Sequence, residues 1–99
     1  MLRPLNPVIH SELRLAVMSI LVGVEDAEFQ FLREQTGATA GNLSVQIDKL
    51  SKAGYVAVSK SFKGKRPCTT CRITDEGRAA FEEYVEALAG YVGGNGRIG

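Results

Sequence analysis

At 99 residues, with a formal net charge of +1, 44% apolar and 23% charged side chains, the chain has the size and balance of one domain with a single modest core. No stretch approaches the roughly 18 to 20 apolar residues of a membrane-spanning helix, and Met1 to Pro7 lacks the apolar run and cleavage site of a secretion signal. These features predict a cytoplasmic protein with no membrane partner, whose Cys68 and Cys71 are reduced.

His10 to Val22 is predicted to be a helix. Leu13, Ala16, Val17, Ile20 and Leu21 recur at the spacing of one apolar stripe. Ser11 or Asn6 suits its N-cap, Pro7 a first-turn position and Gly23 its end. A short strand near Ala27 leads to a second helix from Glu28 to Thr36. Phe29 and Leu32 face the core there, Phe31 lies at its edge, and Gly37 closes it. After a tight turn, Thr39 caps a third helix, Ala40 to Ala53, with core positions Leu43, Ile47 and Leu50. Gly54 ends it. The period then changes to two: Tyr55 to Phe62 alternates, with Val56, Val58 and Phe62 among polar residues. Lys63-Gly64-Lys65-Arg66 is a basic turn, and Pro67 to Ile73 is the returning strand of a β-hairpin. Thr74 caps a last helix whose first turn holds Asp75 and Glu76. The tail, residues 93–99, is Gly-rich and expected to be mobile. The expected fold is α+β, mainly helical: a winged helix-turn-helix over residues 1–92, including a C-terminal dimerisation helix from about 75 to 92.

The small net charge conceals a strong asymmetry. Residues 1–48 carry three basic and six acidic side chains, and residues 75–99 carry two basic and five acidic ones. Between them Lys49, Lys52, Lys60, Lys63, Lys65, Arg66 and Arg72 stand with no acid at all. A basic block flanked by acidic segments is the footprint of a local polyanion site.

On a helical wheel the third helix turns Asn42, Val45 and Lys49 away from its core side, with Gln46 at the border and Lys52 further along. Amides can pair with adenine, an apolar side chain can touch a thymine methyl, and Lys can reach a guanine or a phosphate. Thr39, Ala40 and Gly41 leave the helix N-terminus open to a phosphate. In the hairpin, Lys60, Lys63, Lys65, Arg66 and Arg72 surround the turn shaped by Gly64, and Thr69 and Thr70 add phosphate donors. Like charges this close cost a hairpin stability, which argues for a partner.

Other chemistry has little support. Cys68 and Cys71 are three apart on a strand and so point to opposite faces. The lone His10 cannot complete a zinc site with them. With one His, no paired carboxylates and no Gly-rich phosphate loop, no catalytic residue, metal or cofactor is expected.

Pro7-Val8-Ile9-His10, Arg14-Leu15, Phe31-Leu32, Thr36-Gly37, Gly41-Asn42-Leu43-Ser44, Leu50, Ala53-Gly54-Tyr55-Val56, Lys60, Gly64, Arg66-Pro67, Thr69-Thr70, Arg72, Thr74 and Glu76-Gly77-Arg78 together resemble small MarR-like winged-helix regulators, with ArsR-like relatives. The resemblance spans about residues 5–90. It implies a homodimeric transcriptional regulator that binds double-stranded DNA with the third helix in the major groove, through Asn42, Ser44, Val45, Gln46 and Lys49, and the wing beside it, through Lys63, Lys65 and Arg66. This chain departs from that pattern in having Val45 and Gln46 where relatives often carry Arg or His.

The last helix supports the dimer independently. Gly77, Phe81, Tyr84, Leu88 and Tyr91 form a heptad-like seam, and Phe81, Tyr84, Val85, Leu88 and Tyr91 are the expected interface. Such a dimer predicts an inverted-repeat site with half-sites about 10 bp apart or a multiple of that. Any small-molecule effector is expected to bind at the dimer interface. The competing reading is a winged-helix protein–protein module, which the basic block disfavours.

Overall fold

The computed structural model describes residues 1–92; the predicted mobile tail lies outside the described residues. Its elements are α1 (Glu12–Leu21), β1 (Ala27–Glu28), α2 (Phe29–Thr36), α3 (Ala40–Lys52), β2 (Val56–Lys63), β3 (Arg66–Ile73) and α4 (Asp75–Val92). The fold is therefore α+β and mainly helical, with one three-stranded antiparallel sheet in the order β1-β3-β2.

The caps follow local chemistry. Ser11 caps α1, while Asn6 makes a separate turn before it, its Oδ1 accepting from the Val8 amide at 2.9 Å. α1 accordingly starts two residues later than the periodicity suggests. Gly37 closes α2 in the left-handed region, at φ 71°. Thr39 accepts from the Asn42 amide at 3.1 Å and opens α3. Thr74 does two tasks: its hydroxyl donates to the Gly54 carbonyl at 2.6 Å and accepts from the Gly77 amide at 2.9 Å. That one side chain fixes the start of α4 against the end of α3.

The core gathers Ile9, Val17, Met18, Leu21, Leu32, Leu43, Ile47, Leu50, Val56, Cys71, Ile73 and Tyr84. Met18 was absent from the predicted stripe, and Leu13 and Ile20, which were in it, are only half-buried. The face of α1 is turned because it must meet α2, α3 and β3 together.

The hairpin departs most from its pattern. Val56 is buried, Val58 is 38% exposed and Phe62 is 71% exposed. The alternation continues, but the strands run past the end of the core, so their outer residues have nothing to cover them. Lys63 pairs with Arg66, leaving Gly64 and Lys65 as a two-residue loop, with Gly64 at φ 63°. Among the described residues no helix is long and apolar enough to cross a membrane.

Candidate nucleic-acid interface

α3 is held by Leu43, Ile47 and Leu50, which recur every three to four residues and are buried. Its opposite face is open: Ala40, Gly41, Asn42, Ser44, Val45 and Lys49 are exposed. A Cβ added at Gly41 would meet nothing within 4 Å, so the first turn is accessible. Gln46 differs from these neighbours. It is half-buried, its Oε1 accepts from the Arg14 guanidinium of α1, and its Nε2 donates to Asn42 Oδ1 at 3.1 Å. Arg14 also donates from Nε to the Val8 carbonyl at 2.5 Å, tying the N-terminal segment to the same cluster.

The strand register sorts the wing cations by face. Cys71 and Ile73 are buried, so Thr69, and Lys60 opposite it, lie on the helix side of the sheet. Lys60 and Thr69 line a cleft with Ser44, Asp48 and Ser51 of α3. Lys63, Arg66 and Arg72 lie on the other side, and Lys65 sits at the tip. Lys63 is not free: it forms an ion pair with Glu28 at the edge of β1. The hydrogen bond and charge of Lys63 lower the Glu28 carboxyl, and Glu28 raises the Lys63 ammonium. Lys52 pairs with Asp48 along α3 at 3.0 Å. Among the described residues Lys49, Lys60, Lys65, Arg66 and Arg72 make no ion pair.

Cys71 is buried and Cys68 half-buried, on opposite faces of β3. Burial pushes the Cys71 thiol up to about 11.

α4 divides its apolar residues differently from the predicted seam. Gly77 packs so tightly on the Tyr55 backbone that a Cβ there would stand 2.1 Å from the Tyr55 carbonyl oxygen. Tyr84 is buried in its own subunit, with its hydroxyl 2.8 Å from His10 Nδ1, and Ala87 is buried beside it. Phe81 and Leu88 are half-buried, whereas Val85 is 47%, Tyr91 46% and Val92 77% exposed. Tyr84 and Gly77 thus belong to the inner face, Phe81 and Leu88 flank it and pack partly on the core, and Val85 and Val92 point outward. The N-terminal segment lies alongside: the Tyr91 hydroxyl donates to the Arg3 carbonyl at 2.8 Å and Arg3 pairs with Glu86 at 3.5 Å.

Sequence reasoning missed three participants. Arg14 and Glu28 act on residues 32 and 35 positions away, and no local pattern announces such partners. Phe62 was legible as apolar, but only the length of the strands beyond the core shows it to be exposed.

A helix capped by Thr39, open and polar on its outer face, stands beside a cationic antiparallel hairpin. This is the architecture of winged-helix DNA-binding proteins. Residues 13–92 match the winged helix DNA-binding domain family, and the chain belongs to that family. It is 36% identical over 78 residues to an uncharacterised protein of Methanocaldococcus jannaschii, covering 79% of this chain and 85% of that one. Among solved structures it is similar to a transcriptional regulator homologue from Pyrococcus horikoshii, with a TM-score of 0.82, 27% identity and coverage of 90% and 88% of the two chains. It also shares the fold of the regulator MosR of M. tuberculosis solved with DNA, at a TM-score of 0.69 and 18% identity, covering 86% of this chain and 60% of that one. The chain is thus a winged-helix DNA-binding protein.

Proposed function

We propose that the chain works in the cytoplasm as a homodimeric regulator that reads a specific site on double-stranded DNA. α3 enters the major groove, presenting Asn42, Ser44, Val45 and Lys49 to base edges. Its first turn, Thr39 to Gly41, approaches a phosphate. Lys60, Lys65, Arg66, Arg72 and Thr69 contact the backbone or a minor groove, around the loop shaped by Gly64. Lys63 joins them when DNA phosphate competes with Glu28. The observation that carries this reading is the cleft in which Ser44 of α3 faces Lys60 and Thr69 of the wing. It brings Lys60 and Thr69 of the wing beside polar residues of α3, with Lys65 at the hairpin tip.

The dimer uses the stripe Phe81, Val85, Leu88 and Val92, with Tyr91 beside it. The spacing of four, three and four is that of a helix-pairing seam. Two α3 helices related by a twofold axis favour an inverted repeat, with half-sites about one helical turn or a multiple apart.

Binding-site selection with sequencing, followed by titration at two salt concentrations, tests the DNA reading. An inverted repeat should emerge. Asn42→Ala should cost about 1–3 kcal/mol on it and much less on random duplex. No enriched sequence would overturn base readout. Sedimentation tests the dimer: a monomer at tens of micromolar would overturn the α4 seam.

A further inference from the structure

The contact chain Arg14, Gln46, Asn42 has a direction. A guanidinium only donates hydrogen bonds, whereas each amide has one donating and one accepting end. Arg14 therefore obliges Gln46 to turn Oε1 towards it. The other end of Gln46, Nε2, is a donor, and it obliges Asn42 to answer with Oδ1. Asn42 is exposed, and its Nδ2, with two hydrogens, makes no hydrogen bond among the described residues. Reversing either amide sets donor against donor or acceptor against acceptor at one of the contacts. Arg14 is itself held by the Val8 carbonyl, so the relay begins at a fixed point.

We propose that Arg14 and Gln46 are positioning residues that fix Asn42 as a hydrogen-bond donor towards DNA, so that α3 selects a keto base at the contacted position. This rests on the docking of α3 in the major groove. Guanine offers two acceptors there, O6 and N7, and thymine offers O4, whereas adenine sets its N6 donor beside its one acceptor N7, and cytosine N4 only donates. An amide that pairs with adenine must offer its oxygen and its nitrogen together. The contact with Gln46 takes one lone pair of the Asn42 oxygen and holds that oxygen towards Gln46, which hinders the paired contact with adenine. The expected preference is therefore guanine or thymine over adenine or cytosine on the contacted strand, opposite to what an unrestrained asparagine favours.

Gln46→Glu tests the relay by reversing it. One carboxylate oxygen still accepts from Arg14, but the other now faces residue 42 and can only accept. Asn42 must turn Nδ2 inward and Oδ1 outward. Binding-site selection on the full-length protein and on this variant should show one position per half-site changing from a keto to an amino base. The ratio should move by about tenfold, the scale of one good base-edge contact. Arg14→Lys, still a pure donor, should keep the wild-type preference, and Arg14→Met should relax it. Melting curves and affinity for random duplex accompany each variant. A merely structural role would lower stability or weaken every duplex alike, without inverting a base. If the wild-type protein selects a site and Gln46→Glu selects the same bases at every position, the relay is overturned alone. If the wild-type protein selects none, the base-readout reading is overturned and the relay with it.

Discussion

α3 and the wing meet the same proposed ligand with opposite construction. α3 is anchored by Leu43, Ile47 and Leu50, at 0%, 5% and 0% exposure, and its border residue Gln46 is tied to Arg14. Its outer face is nearly neutral, with Lys49 as the one cation outside an ion pair among the described residues. The wing has no buried residue from Ser59 through Thr70, and it carries Lys60, Lys63, Lys65 and Arg66 over that stretch. The difference follows from what each must recognise. Hydrogen bonds to base edges need donors and acceptors in fixed directions, which a packed helix supplies. Phosphate attraction needs charge and tolerates motion, which an exposed hairpin supplies.

The largest test of this contrast is thermodynamic. Leu43→Ala should destabilise the fold by about 2–5 kcal/mol, through lost burial and the cavity left behind. Phe62→Ala, at a position 71% exposed, should stay within about 0.5 kcal/mol. Chemical denaturation measures both, and comparable losses would mean the wing is as much part of the core as α3.

Next in size is the double replacement of Lys65 and Arg66 by Ala. Binding to all duplexes should weaken alike, and the slope of log K on log salt should flatten by about two units per subunit. An unchanged slope would move the phosphate contacts off the wing tip.

A smaller effect of opposite sign comes from Glu28→Gln. The Glu28 carboxyl is held below the ordinary carboxylate range by Lys63, so the pair persists at neutral pH and opens only in acid. Removing the acid releases Lys63, and the salt slope should steepen by up to about one unit per subunit. Titration of random duplex at several salt concentrations reads the change. A flatter slope would mean that Glu28 positions Lys63 for DNA instead of withholding it.

The smallest effect concerns the two thiols at the root of the wing. Burial raises Cys71 from the model-peptide range near 9.0 to about 11, so the folded state holds that proton more tightly than the unfolded chain. The resulting stability is complete below about pH 9 and is lost as pH climbs through 11. Alkylation at pH 8 should modify Cys68 well before Cys71, and mass spectrometry after a timed quench resolves the order. Equal rates would show that the sheet opens readily at its inner end.

Much of this molecule is local, and what is local was legible. Thr39, Gly37 and Thr74 mark helix ends through their own side chains or backbone freedom, so the order of elements and the helix-turn-helix unit follow from neighbouring residues alone. The basic block from Lys49 to Arg72 was equally plain, because charge is a property of composition. The predicted seam on α4 was less so. Two apolar stripes lie about one residue, or about 100°, apart on that helix, and periodicity could not say which faces inward. Gly77 decides it: lacking a Cβ, it lets α4 press on the Tyr55 backbone, which rotates Tyr84 towards His10 and leaves Val85 outside. The partners of Gln46 and Lys63 were likewise decided only by the tertiary structure. Arg14 and Glu28 lie 32 and 35 residues away in the chain and become neighbours only when α1 packs on α3 and β1 joins the sheet. Sequence by itself determined which residues carry charge, amides and apolar surface; packing decided which of those groups are already engaged and which remain open to DNA.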